Sequence, residues 1–383
     1  MRLGRNVVVL GMVSLLADVS GDMVMPILPA FLVTLGAGAA YIGVVEGAAE
    51  GTAALLKYLS GRWADRVRSL LPLAVIGYVL AAAARPFLAI AQKPWHVLAV
   101  RNVDRVGKGI RTSPRDKLLA SSTTPERLAE AFSFHRGMDH AGAAIGPLLA
   151  SGMLLLWPGA LRRIFLVAAI PGGLAVLALL AVREEPSERE PGSAAKEPPV
   201  RAGAAPVRLL TAIGLFTLGN STDALLLLRA ETLGIATALL PLLWALLHVM
   251  RAALSWPAGW FADRLGRRRM LVCGWVWYAI CYVSFSLARA KWQLWILFAA
   301  YGLVAALTEG TERALIAAAS PPGSRGRALG LYNLVSGVGL LAASVVAGQV
   351  WERVSPAAAL QLGAALAFVA AAVLGAGRQA PVA

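Results

Sequence analysis

The segment from Arg101 to Lys117 reads RNVDRVGKGIRTSPRDK and lies in a chain that is otherwise strongly apolar. At 100° per residue, Arg101, Arg105, Lys108 and Arg115 fall along one side of a helix, with Asp104 and Arg111 beside them. A stripe of this kind can attract an anion, modulate a nearby carboxylate that carries protons, or pair with acids from neighbouring helices. Lipid is not a possible environment for it, because a charge at the centre of a bilayer costs several kcal/mol or more. Pro114 is expected to distort the helix, and Gly107 and Gly109 to admit a neighbouring backbone.

Carboxylates with comparable potential occur elsewhere. Asp22 is followed by Pro26 and Pro29, Glu46 and Glu50 share one helical face, and Asp223 stands inside an apolar run with Arg229 further on. Glu309 and Glu312 flank a Gly-Thr pair before Arg313. Carboxylates kept from bulk water can exchange protons near neutral pH. At membrane level in the first half, the acids are Asp18, Asp22, Glu46, Glu50, Asp104, Asp116, Glu130 and Asp139. The bases are Lys57, Arg85, Arg101, Arg105, Lys108, Arg111, Arg115, Lys117 and Arg136. The two sets nearly balance, so most members are expected to pair. His135, Met138, Asp139 and His140 cluster on one segment, but His135 and His140 do not share a helical face. His135 therefore reads as a polar lining or proton-relay group, and no metal site is expected.

These groups need a scaffold that holds charges within apolar surroundings. The chain has 383 residues, of which 58% are hydrophobic and 15% charged, and its mean hydropathy is +0.67. A soluble domain carries nearer a quarter charged residues. Apolar runs predict helices near 7–35, 41–60, 71–91, 95–120, 129–155 and 163–182. A second set is predicted near 208–231, 235–259, 270–289, 292–319, 327–350 and 357–377. The expectation is an all-α membrane protein of twelve membrane-spanning helices. The first apolar run is too long, and carries Asp18 and Asp22, for a cleavable signal peptide.

The net charge of +15 is distributed by topology. Lys and Arg outside the helices concentrate on the side holding both termini and the 183–208 segment, which predicts that side to be cytoplasmic. No long basic tail remains for nucleic acid. Cys273 and Cys281 are eight apart on one predicted helix, roughly 12 Å along its axis, too far for a disulfide.

The segment REEPSEREPGSAAKEPPVRAGAAPVR, residues 183–208, has linker composition. It divides the chain into a first bundle of six helices over 1–182, a linker over 183–207 and a second bundle over 208–383. The halves resemble each other. Gly61-Arg62-Trp63-Ala64-Asp65-Arg66 is matched by Gly259-Trp260-Phe261-Ala262-Asp263-Arg264, and Trp95 by Trp292. Ala131 to His135 falls opposite Leu329 to Asn333, and Asp22 opposite Asp223. Landmarks at nearly one offset point to two pseudo-symmetric bundles around a central site.

The same residues carry a family pattern. Gly259, Asp263, Arg264, Gly266, Arg267 and Arg268 complete a loop motif G-x-x-x-D-R-x-G-R-R, and Gly61, Asp65 and Arg66 keep its first part before Arg68 departs from it. Gly142-Ala143-Ala144-Ile145-Gly146-Pro147 resembles the G-x-x-x-G-P motif of drug–proton exporters. Across essentially its whole length the chain resembles the major facilitator superfamily. That resemblance implies a cavity lined by helices 1, 4, 7 and 10, and a gate in which Arg66 pairs with Asp116 and Arg264 with Glu312. It also implies a secondary transporter, with proton-coupled export of a small organic compound as the leading expectation. Uptake or exchange of an anionic metabolite, and a transport-inactive sensor or assembly factor, are the alternatives. The protein is expected in a bacterial-type inner membrane, multi-pass and monomeric, with a small solute, protons and lipids as partners. No P-loop, G-x-S-x-G or H-E-x-x-H occurs, so neither an enzyme nor a cofactor is expected.

Overall fold

A computed structural model describes residues 4–64, 67, 69–123, 128–184, 204–318 and 325–376. In hydrocarbon every backbone polar group must be satisfied within the chain, and helices achieve this locally. The described residues accordingly form twelve helical spans. In the first half, α1 covers Arg5–Thr34, α2 Ala39–Ala64, α3 Leu71–Ile90, α4 Pro94–Ser121, α5 Leu128–Leu156 and α6 Leu161–Leu179. In the second, α7 comprises Ala204–Gly219 and Ala224–Thr232, and α8 covers Leu240–Leu265. The rest are α9 Arg267–Leu287, α10 Lys291–Ala318, α11 Arg325–Arg353 and α12 Pro356–Gly375.

Ten of the spans are long and apolar enough to cross a membrane. The two that are not, α2 and α4, carry the ionic groups and pack against each other. Their close approach depends on small residues. A Cβ on Gly109 would meet the Leu56 side chain of α2 at 2.5 Å. On the opposite side of α4, a Cβ on Gly107 would lie 2.5 Å from the Gly77 carbonyl of α3. The helix runs unbroken through Pro114.

Pro26 and Pro29 interrupt the regular helix of α1, where Met25–Ile27 forms a single 3-10 turn. Helix α7 is interrupted more strongly. Residues 220–222 leave the helix, and the backbone at the break finds other partners: the Tyr278 hydroxyl donates to the carbonyl of Gly219, the last helical residue before it, at 2.9 Å, and Thr222 N–H donates to Ser344 Oγ at 3.1 Å. Cys273 and Cys281 are both free thiols.

Three apolar clusters hold the helices. One lies in the second half and includes Trp275, Tyr278, Tyr282, Phe285 and Phe298. Another, with Val7, Tyr78 and Leu179, holds the first half near the chain termini. The third belongs to the end far from the termini, here the distal end, and contains residues of both halves: Met23, Phe31 and Val45 together with Leu225, Ala347 and Trp351. The halves are thus joined distally. Along that join α2 and α11 touch through backbone. A Cβ on Gly43 would collide with the Ser344 carbonyl, and one on Gly348 would lie 2.7 Å from the Ala39 carbonyl. Toward the termini the exposed residues include Arg136, Gly137, Glu309, Gly310 and Arg313. Charges so placed on membrane helices mark a cleft open at the proximal end.

Candidate functional site

Most of the helix-4 stripe is consumed by pairing. Arg101 forks onto Glu46 of α2, with Nε–Oε1 at 3.0 Å and Nη2–Oε2 at 2.9 Å. Its Nη1 lies 3.4 Å from Asp104, which in turn receives Arg85 of α3 at 3.0 Å. Arg85 continues to Ser20 Oγ of α1 at 2.5 Å. This chain ties four helices together, and all its charged members are buried. Arg105 meets Glu50 at 3.3 Å, although its Nε has no partner. Arg111 lies 4.1 Å from the centroid of the Tyr78 ring, a cation–π contact. Glu46, Glu50, Arg101, Arg105 and Arg111 are thus all held by partners within the first half. Breaking a buried ion pair from one side leaves an uncompensated charge and costs about 3–5 kcal/mol.

Outside this lattice, the side chains of Asp18, Lys57 and Lys108 make no hydrogen bond or ion pair among the described residues. Asp22 is held differently again: its Oδ1 accepts from the indole Nε1 of Trp244, on α8, at 3.0 Å. That bond crosses between the halves. Lys108 and Arg105 lie within electrostatic reach of Asp22.

Small residues set these positions. The helix-5 motif packs on α1, where a Cβ on Gly142 would sit 2.5 Å from the Leu15 carbonyl and one on Gly146 2.5 Å from the Val19 carbonyl. Pro147 follows within the continuous helix α5. The motif thus brings α5 against the turns of α1 that carry Asp18 and Asp22. His135 lies one turn from Asp139, Nδ1 to Oδ2 3.5 Å, with Arg136 3.6 Å from the same oxygen. His135 Nε2 and Asp139 Oδ1 are buried without partners.

In the second half Asp223 stands at the end of the α7 interruption. It binds Arg251 of α8 at 3.0 Å and the Tyr301 hydroxyl at 2.8 Å. Its repeat mate Asp22 has a neutral donor instead, so the pseudo-symmetry does not extend to the chemistry. Glu312 is buried and accepts from Trp275 Nε1 at 3.1 Å and the Tyr332 hydroxyl at 2.8 Å. Glu309 is exposed.

The expected gate falls largely outside the described residues: Asp65 and Arg66 do so entirely, and so do the side chains of Asp263 and Arg264. Asp116 is bound by its neighbour Arg115 at 2.8 Å. Gly61 lies 3.6 Å from Ser113 Oγ when given a Cβ. Gly266 has φ +90° and turns the chain into α9, where Arg267 is exposed.

Trp244, His248, Arg251 and Tyr301 were not anticipated. The run His248-Val-Met-Arg251 inside apolar α8 carries the available signal, two ionisable residues one turn apart. An indole in the same helix reads as packing until its N–H is seen to meet Asp22.

The family model of the Major Facilitator Superfamily matches residues 10–249 and 209–381. An uncharacterized MFS-type transporter, MJ1317, from Methanocaldococcus jannaschii is 31% identical over 379 residues, 97% of this chain and 94% of that protein. The multidrug resistance protein MdtH of Edwardsiella ictaluri is 24% identical over 311 residues, 79% of this chain and 76% of its own. The solved nucleoside transporter NupG superposes with a TM-score of 0.79 at 16% identity, covering 97% of this chain and 99% of that one. Twelve helical spans in two joined halves, a cross-half contact at mid-membrane and a family match over nearly the whole chain lead to one assignment: the chain belongs to the Major Facilitator Superfamily and is a multi-pass membrane transporter.

Proposed function

We propose that the chain exports a small organic compound in exchange for protons, by rocking its two six-helix halves around a midplane site. The termini are cytoplasmic in this reading, the membrane is the inner membrane, and the monomer is the working unit. The 183–207 linker joins the halves on the cytoplasmic side.

The hydrogen bond from Trp244 to Asp22 carries the proposal. An intramembrane carboxylate whose described hydrogen bond crosses the halves couples a titration to their separation. Protonation changes how strongly the carboxylate accepts from the indole, and rocking changes whether the indole is there. The resemblance to a protein named for multidrug resistance supports export.

The test is dequenching of a pH-sensitive dye in energised everted vesicles on addition of ethidium or norfloxacin. The wild type should release protons with one of these compounds. Asp22→Asn should abolish that release while folded yield is retained, and Trp244→Phe should reduce it. Wild-type proton release in a folded Asp22→Asn protein would remove Asp22 from the coupling.

A further inference from the structure

Three groups, Asp18, Lys108 and His248, occupy one level of the membrane. Along antiparallel α1 and α4, Arg101 donates to Met25 Sδ at 2.9 Å and Arg115 to Ser14 Oγ at 3.3 Å. Lys108 lies midway between those two bases on the same face of α4, so it stands level with the midpoint of Ser14 and Met25, the turn from Asp18 to Asp22. Its flanking residues fix this facing, because Gly107 packs on α3 and Gly109 on α2. On α8, Trp244 meets Asp22, and His248 follows one turn nearer the proximal opening, at the level of Asp18. The Trp244 and His248 rings are 5.1 Å apart.

The side chains of Asp18 and Lys108 and the Nε2 of His248 each lack a partner among the described residues. Asp18 and Lys108 are within electrostatic reach of each other but do not meet in an ion pair. His248 Nε2 is buried with no hydrogen bond, and Lys108 is among the charges that reach it. The Asp22–Trp244 bond lies on the distal side of these groups. The acids are on α1 and α5, where Asp22 and Asp139 neighbour Asp18. The base is on α4, with Lys57 of α2 beside it. Opposite charges left apart at one level, with a desolvated imidazole nitrogen beside them, form a dipolar slot.

We propose that Asp18, Lys108 and His248 form the binding slot for a zwitterionic solute, one bearing an amine and an acidic group. The amine docks on Asp18, and the acidic group docks on Lys108 with His248 donating from Nε2. Ligand entry neutralises both protein charges at once, which neither a simple cation nor a simple anion does. This rests on the transporter reading above, and names the substrate class for it.

The test is thermal unfolding of the purified full-length chain with ω-amino carboxylates from glycine to 8-aminooctanoate. Each is compared with its N-acetyl and its carboxamide derivative, and a parallel series of aminoalkyl phosphates distinguishes carboxylate from phosphate. At least one zwitterion should bind about tenfold more tightly than either blocked form, the scale of one charge-assisted hydrogen bond. Lys108→Gln should erase the preference over the carboxamide, with Lys108→Arg retaining part of it, and Asp18→Asn should erase the preference over the N-acetyl form. His248→Gln should weaken the acidic end alone. Equal stabilisation by blocked and free forms, no stabilisation by any member, or an unchanged preference in folded Lys108→Gln each overturn the slot. Binding with the expected preference but no flux in proteoliposomes would instead remove the transport reading and leave the slot in place.

Discussion

Glu352, in the last turn of α11, accepts a hydrogen bond of 2.9 Å from the backbone N–H of Ala40, in the first turn of α2. One half of the molecule thus caps a helix of the other. The residue before α2 is Gly38, which offers no side chain of its own, and a Cβ there would lie 2.7 Å from the Glu352 carboxylate. Helix N-termini leave N–H groups unsatisfied and favour negative charge. The cap can exist only while the distal end is closed.

Glu352→Ala should therefore loosen distal closure. In a background with both native cysteines replaced, a cysteine at Ala347, buried in the distal join, should react with a membrane-impermeant maleimide faster by roughly three- to tenfold, the usual worth of a helix cap. An unchanged rate would show that Glu352 does not latch the join.

Gly43→Leu should be far more disruptive, because its first added carbon meets the Ser344 carbonyl. Backbone cannot step aside as a long side chain can. The variant should populate the distally open state and lose transport. Gly152→Leu is the control, since a Cβ on Gly152 has nothing within 4 Å. Equal transport in both variants would argue against a rigid α2–α11 contact.

Arg101→Gln strands Glu46, whose side chain is 3% exposed, and leaves Asp104 with Arg85 alone. Breaking a buried pair from one side costs about 3–5 kcal/mol. Folded yield should fall steeply and recover in part when Glu46→Gln is added. Normal yield with weakened substrate binding would instead move Arg101 from scaffold to site.

Glu312→Leu leaves the Trp275 and Tyr332 donors unsatisfied in a buried place, at about 1–3 kcal/mol for each. Glu312→Gln keeps an acceptor oxygen and should melt close to the wild type. A Leu variant as stable as the wild type would mean that water reaches these donors.

The spans and the duplication were legible because lipid imposes one rule on the whole chain, about twenty apolar residues per crossing. The near balance of first-half charges also told that they pair. It could not tell which pair, because Glu46–Arg101 and Arg85–Asp104 join different helices, and helix packing is invisible to spacing along one helix. Asp22 was found because an acid among apolar residues stands out. Trp244, its partner, was not, because an indole is at home in a membrane whether or not its N–H is used. Lys108 and Arg105 were equal members of one stripe in the sequence, and only the position of Glu50 separates the paired base from the unpaired one.

Among the described residues the ionic lattice of the first half has no counterpart in the second, where Arg251 pairs with Asp223 and aromatic rings fill the core. Warming treats these two kinds of cohesion unequally. The desolvation penalty of ion pairs shrinks as temperature rises, while apolar burial gains little more. The two halves therefore age differently under heat. The rings of α7, α9 and α10 should come apart while Glu46, Arg101, Asp104 and Arg85 still bind their helices, so a heated molecule passes through a form with one half melted and the other intact.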